Sequence, residues 1–587
     1  MRELLLFLLC CFSIMARSQN NDEAAFIKNN YVKTDTTITM RDGVRLYTII
    51  YSPKDMSSKY PLLIERTPYS VAPYGSGNYT KRLGPTTLVH EKYIFVFQDV
   101  RGRYMSEGLN LEVTPQIPNK QTNKQIDEST DTYDAVEWLI NNTKNNNGRA
   151  GFYGISYPGF YSSTALLANH SAIKAVSPQA PVTDEFIGDD VNHNGAFFLL
   201  DNFDFMNYFG KERPGPVTDY GGQVFPKNSR DAYQFFLTLG PLKNTQGINY
   251  YNHRSYIWDE YLAHDTYDTY WKSRNLRQHL TNNKIPTLVV GGWFDAEDLF
   301  GTLHTFEALK KQSHFNNNHL VMGPWTHGAW ASAEWSKFGT YDFGSNTSKY
   351  FQDSLQLGFF NYFLKDKGNY DTSEATMFET GSNLWKHFST WPPLNTEPVN
   401  YYFKEGGKLS QGKEISTLAF DDYISDPKKP VPYTNGIYSG RNNEYMVEDQ
   451  RFTANRPDVV VYASDVLQND ITVSGRIISD LFVSTTGTDA DFIVKVIDVL
   501  PDTFSTPRTM LRGSTMAGFQ RLVRAEVMRG KFRNSYENPE PLVSNTISEI
   551  KFELNDVGNG EGSAANFLSS RARSSRVNRQ SNGVLLP

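Results

Sequence analysis

From Val44 to about Val182, short runs of β-branched and aromatic residues alternate with stretches of helical period, and this rhythm constrains the fold more than any other feature of the chain. The runs VRLYTIIYSP, YPLLIERTPYS, YIFVFQDVRG and IKAVSPQAP read as buried strands. Between them, DTYDAVEWLINN and the segment from Tyr157 to Asn169 carry small and apolar residues at helical spacing. Strands that alternate with helices bury those helices on the faces of a largely parallel sheet, so the fold class is α/β. The rhythm stops at Asp184, where a stretch rich in aromatics, Asn, Asp and Gly runs to about Arg277 with short helical pieces. It resumes at IPTLVVGGWFD and ends at HLVMGPWTHG. Interruption followed by resumption predicts a helical cap over 184–277, inserted into a core made of 34–183 and 278–390.

Past residue 391 the helical periods vanish. VNYYFKEGG, DVVVYASD, DITVSGRIISDLFVSTTG, DADFIVKVIDVLP and FQRLVRAEVMRG are separated by Gly, Asp and Pro turns, which predicts a β-sandwich or jelly roll over 391–557. The pattern breaks after FELNDVG, and the Ser-, Arg- and Asn-rich residues 558–587 are expected to be an irregular, truncated or frame-shifted tail. Three large units agree with 587 residues, since single cores stop growing near 250–300 residues. The net charge of -6 provides no basic field for a phosphate backbone, which argues against nucleic acid as a partner.

The first 18 residues read as an export signal: Arg2 is the basic flank, Leu4 to Ile14 the apolar run, and Ala16-Arg17-Ser18 the small-residue cleavage site. That run is too short to span a bilayer, and no later one is long enough. Cleavage would remove Cys10 and Cys11, the only cysteines, leaving neither disulfides nor thiol ligands in a periplasmic or secreted protein. A lipoprotein anchor at Cys10 is the alternative, but Leu8 and Leu9 stand where small residues would be expected.

The strongest chemical signal is Gly154-Ile155-Ser156-Tyr157-Pro158-Gly159, an apolar strand entering a tight turn with a helix leaving it. A nucleophile elbow has this layout, which lifts the serine hydroxyl above the sheet edge. Pro158 stands where the strict G-x-S-x-G pattern has its second glycine. The strands IPTLVVGGWFD and HLVMGPWTH end in Asp295 and His327, completing the order Ser, Asp, His, with both residues in loops at carboxyl strand ends. His327 would act as the base and Asp295 would orient it. Of the 11 histidines, His90, His170, His193, His304 and His314 lack that context, and the alternative for His327 is a surface loop residue. Two oxyanion donors are then required. The Tyr157 backbone N–H is one. The Tyr69 hydroxyl in ERTPYS is the other, unless Tyr69 is simply one of 34 tyrosines in an aromatic core. No metal or organic cofactor is implied.

Ser156 in GISYPG, ERTPYS, FQDVRGRYMSEG with Asp99 and Arg101, GGWFD and GPWTHG, in this order, resemble the X-Pro dipeptidyl peptidase and cocaine esterase (CocE/NonD) superfamily over Thr34 to Val557. The resemblance implies an α/β-hydrolase core, a helical cap and a C-terminal jelly roll. Asp295-Ala296-Glu297-Asp298 further resembles the α-amino-acid ester hydrolases, which act on β-lactam antibiotics and set three carboxylates beside the triad. Here these are Asp190, Glu297 and Asp298. A confined carboxylate cluster would hold an α-ammonium and reject neutral or anionic acyl groups. The plain alternative is an acidic first helical turn favoured by the helix dipole. Homotetramers formed through an N-terminal arm, here 19–33, are also implied. The rival readings are an X-Pro dipeptidase or general carboxylesterase of the same fold, and a non-catalytic carbohydrate-binding or surface protein.

Overall fold

A ten-stranded mixed sheet is the spine of the computed structural model, which describes residues 22–313, 317–413, 419–506, 514–561, 566–572, 577–578 and 583–586, with backbone alone beyond Gly558. Its strands are β1 (Tyr31–Thr39), β2 (Arg45–Pro53), β3 (Tyr60–Thr67), β4 (Ile94–Asp99), β5 (Asn146–Ser156), β6 (Ile173–Pro181), β7 (Thr287–Gly292), β8 (Asn318–Gly323), β9 (Ala375–Glu379) and β10 (Leu384–Phe388). Their spatial order is β1-β2-β4-β3-β5-β6-β7-β8-β9-β10. From β4 to β9 every neighbour is parallel, while β1, β2 and β10 pair antiparallel at the edges. The parallel strands are apolar on both faces, with Leu62 to Ile64, Leu288 to Val290 and Leu320 to Met322 all buried, because helices cover both sides.

Helix α1 (Glu128–Asn142) starts at Asp127, whose carboxylate accepts from Thr130 N at 3.1 Å in a capping box. Helix α2 (Tyr157–Ala165) leaves the elbow. The cap follows with α3 (Leu199–Phe209), α4 (Ala232–Leu239), α5 (Tyr256–Ala263) and α6 (Thr269–Arg274). Its aromatic surplus forms its core: Phe203 stacks on Tyr251 at 4.7 Å, and Trp258 packs edge-on against both rings. Helix α7 (Leu299–Gln312) then returns the chain to the sheet.

The C-terminal domain is a β-sandwich containing β11 (Val399–Lys404), β12 (Ile471–Val483), β13 (Asp491–Val499), β14 (Gln520–Arg529) and β15 (Ser548–Glu561). Ile477, Leu481, Val494, Val496, Ile550 and Leu554 alternate inward, and their cluster is continuous with the cap through Phe532 against Phe186. The β pattern does not end at Val557 as expected. Strand β15 stays paired with β12 through Gly558↔Ser474 to Glu561↔Ile471, and the backbone of Asn566–Ala572 lies antiparallel to β13. A ladder needs backbone donors and acceptors rather than an apolar side-chain rhythm, so a polar stretch can extend it where a sheet edge is open.

The expected signal segment with Cys10 and Cys11, and His314, lie outside the described residues. Of the segment read as an arm, 22–30 is a helix whose Ile27 is fully buried, and Tyr31 opens β1. No described helix is long and apolar enough to cross a membrane.

Candidate active site

Strand β5 ends in Ser156 at φ 67°, ψ −125°, a left-handed conformation that a non-glycine residue holds only when its surroundings enforce it. The neighbouring glycines show what enforces it. A Cβ on Gly154 would lie 2.3 Å from the Pro158 carbonyl oxygen, and one on Gly159 would lie 2.6 Å from the Gln179 oxygen and 2.9 Å from Pro181 Cα. The close approach to β6 therefore falls at residue 159, and the usual glycine position can accept Pro158.

Asp295 and His327 sit in the loops after β7 and β8. His327 Nδ1 lies 3.0 and 3.1 Å from the two Asp295 oxygens, so Asp295 accepts a hydrogen bond from Nδ1–H and leaves Nε2 as the basic nitrogen. Asp295 is itself fixed, since its Oδ1 accepts from Glu297 N at 2.8 Å and Asp298 N at 3.1 Å. Burial pulls the His327 imidazolium down, but Asp295, then Asp190 and Asp201, outweigh it and leave the group above its ordinary 6.5. The loop passes close to the elbow, for a Cβ on Gly328 would be 3.7 Å from Ile155. Ser156 and His327 do not share a hydrogen bond in this structure. Instead His327 Nε2 lies 3.3 Å from Glu297 Oε2, and the Ser156 hydroxyl pairs with that of Tyr69. Such bonds commonly tighten only with substrate bound.

Tyr69 stands where an oxyanion donor is needed. Although 41% of the residue is exposed, its hydroxyl lies at the buried end against Ser156, and burial, then Asp190, Glu112 and Asp298, hold it well above the ordinary phenol range, so it remains a donor. Its ring meets Phe205 and Phe209 of α3 and Tyr157 edge-on. The Tyr157 N–H opens α2, and its side chain is locked in place: the hydroxyl accepts from Val113 N at 2.7 Å and donates to Glu112.

All three carboxylates expected beside the triad reach this site, in unequal states. Asp190 comes from the cap, and burial raises it to about 7 against the opposing pull of His327. Asp189 beside it is structural, accepting from Thr183 N, Asp184 N and Gly301 N. Asp298 holds the N-cap position of α7 but makes no capping bond, and both its oxygens are buried without a hydrogen-bond partner. Its Oδ2 lies 3.9 Å from His327 Nδ1, and burial together with Asp190, Asp189 and Asp295 pushes it well above the carboxylate range. Glu297 is not free: besides His327 it is ion-paired with Arg441 of the C-terminal domain, which also holds Asp201 of the cap at 3.1 Å.

Arg441 and Asp201 went unnoticed in the sequence, as did a deeper acid pair. Tyr261 Oη lies 3.4 Å from Glu112 Oε1 and 3.2 Å from Glu185 Oε1, and burial raises both acids, Glu112 to about 7. Glu112 lies just beyond the FQDVRGRYMSEG motif, but nothing in sequence marks which acid turns inward. Glu297, Asp298 and His327 offer polar atoms within 4.8 Å of one another, but Glu297 is taken up by Arg441 and the His327 ring by Asp295, so the cluster is already internally paired. A cavity of about 390 Å³ adjoins Asp295, Glu297 and Arg441; Phe197, Phe198, Phe294 and Tyr445 line it together with the charged Asp201, Lys495, Arg524 and Glu526, and Ser156, Tyr69 and His327 do not.

Fold and site together define a serine hydrolase. The X-Pro dipeptidyl-peptidase (S15 family) model matches residues 42–329, and the X-Pro dipeptidyl-peptidase C-terminal non-catalytic domain matches 362–559. An aminopeptidase structure from a marine sediment archaeon, Thaumarchaeota archaeon, is 30% identical with TM-score 0.85, covering 95% of this chain and 96% of its own. An α-amino acid ester hydrolase structure is 29% identical with TM-score 0.84, covering 95% and 94%. Cocaine esterase of Rhodococcus sp. (strain MB1 Bresler) is 25% identical over 90% of this chain and 88% of its own. The chain belongs to the X-Pro dipeptidyl-peptidase (S15) family, within the CocE/NonD superfamily.

Proposed function

We propose that this protein hydrolyses esters and amides of α-amino acids, α-amino-acyl β-lactams among them, through an acyl-enzyme on Ser156, and can pass the acyl group to an amine. Ser156 Oγ attacks the carbonyl as His327 Nε2 takes its proton, with Asp295 holding the imidazolium. Tyr69 Oη and Tyr157 N–H receive the oxyanion. His327 then protonates the leaving group, and water or an acceptor amine, activated by the same nitrogen, releases the acyl group.

The observation that carries the substrate class is Asp298. An acidic residue placed for the helix dipole would cap its helix, and Asp189 does that work here by accepting from Gly301 N in the first turn of α7, while both Asp298 oxygens stay buried without a hydrogen-bond partner. A buried carboxylate without a partner is costly, and an α-ammonium beside the scissile carbonyl would relieve that cost. The test compares kcat/KM for D-phenylglycine methyl ester and its des-amino counterpart. Asp190→Asn and Asp298→Asn are each expected to reduce the preference for the amino ester about 100-fold. Equal ratios in wild type and variants refute the ammonium site, and normal turnover by Ser156→Ala refutes the mechanism.

A second reading is aminopeptidase or X-Pro dipeptidase action, favoured by the named activity of the 30%-identical relative and also requiring a held amino group. Xaa-Pro-anilides separate the two. Export, and assembly of several copies, belong to the same proposal and are checked by fractionation and by light scattering.

A further inference from the structure

The C-terminal domain sends a segment back over the active site. Tyr438 O accepts from Ala232 N at 2.8 Å, and Pro430 O accepts from the Tyr233 hydroxyl at 2.6 Å, anchoring this strap to the first turn of α4 in the cap. The strap delivers Arg441, whose guanidinium pairs with Glu297 of the catalytic loop and with Asp201 of the cap, so that one side chain joins all three domains. Glu297 carries the effect onward, since its other oxygen lies 3.3 Å from His327 Nε2.

We propose that Arg441 is a positioning and charge-setting residue for the active site: it holds Glu297 in place and offsets that carboxylate's charge, so that His327 can be neutral, and therefore basic, in the working pH range. The inference rests on His327 being the base. The groups acting on His327 are Asp295, Glu297 and Asp298 from its neighbouring loop, and Asp190 and Asp201 from the cap. Against Asp295 and Glu297, and against Asp190, Asp201 and Asp298 whose burial holds them toward their neutral forms, the strap sets a single guanidinium. Without it, Glu297 and Asp201 would stabilise the imidazolium unopposed, and a larger fraction of the enzyme would rest with a protonated base. The domain whose family description is non-catalytic thus sets the protonation of the catalytic histidine.

The test is the acid limb of kcat/KM for p-nitrophenyl acetate, a substrate without an ammonium, so the outcome is independent of the ammonium site. Arg441→Gln is expected to move the limb upward by about one pH unit, and Arg441→Lys by less than half as much. Glu297→Gln is expected to move it downward, and the Arg441→Gln/Glu297→Gln double variant to lie near wild type. A folded Arg441→Gln enzyme that still reacts with a fluorophosphonate but shows an unmoved limb overturns the proposal. So do equal shifts in the Gln and Lys variants, which would mean that the charge is not the cause. If Arg441→Gln does not fold, an unmoved limb in Glu297→Gln overturns it. Loss of activity in Ser156→Ala keeps the triad reading standing through any of these failures.

Discussion

Asp298 has two buried oxygens without hydrogen-bond partners and acidic neighbours on several sides, so leaving them unbonded costs stability in the free protein and ionising them costs more. Asp298→Asn replaces it with a neutral amide of the same shape. We expect the melting temperature to stay level or rise while the α-amino preference falls, the usual exchange of function for stability at a strained site. A marked drop in melting temperature would instead make Asp298 a structural acid. His327 gives a second prediction. Its imidazolium lies above 6.5 because Asp295, Asp190 and Asp201 together outweigh burial, so the acid limb of kcat/KM should fall above 6.5. A limb at or below that value, read from a pH-rate profile on a simple ester, contradicts the arrangement.

Among the elements, the elbow is packed against fixed backbone. Gly159 faces backbone atoms of β6 that cannot rotate away, so Gly159→Ala is expected to cost about 1–3 kcal/mol and to displace Ser156. Denaturant unfolding and fluorophosphonate labelling check both effects, and an unchanged labelling rate would show that the turn has slack. This element was legible in sequence because strand, small residues and helix follow one another locally. Asp295 and His327 were legible for a related reason: each closes an apolar run, and side chains just past the carboxyl ends of parallel strands point to one edge of the sheet. Arg441, Asp201, Glu112 and Glu185 were not legible. They are single charges in segments without period, and only packing between distant parts of the chain makes them neighbours. The polar continuation of β15 was missed because its pairing with β12 lies in backbone hydrogen bonds.

Across the whole molecule, core and cap enclose a shared store of carboxyl protons. Glu112 rises from 4.5 and Asp190 from 3.8, each to about 7, chiefly by burial, and Glu185 and Asp298 rise further. A carboxyl whose folded value is raised binds its proton more tightly in the folded state. Its contribution to stability is therefore complete below the unfolded value near 4 and is lost as pH rises through about 7. Unfolding free energy should thus decline between pH 5 and 8, and Glu112→Gln with Asp190→Asn should flatten that decline. A wild-type slope of zero or of opposite sign in urea titrations would count against the cluster. An ammonium-bearing ligand should offset part of the loss at pH 8, because it supplies the counter-charge that the free protein lacks.

What this sequence determined by itself was the class of architecture and the line of chemistry: apolar rhythm sets which segments are strands, and strand ends place a serine, an aspartate and a histidine on one edge. What only the tertiary structure decided was the electrostatic state of that edge. Charge acts through space, so the state of Glu297 depends on a guanidinium from a domain that begins more than sixty residues after the histidine in the chain. Chain order carries no record of that distance.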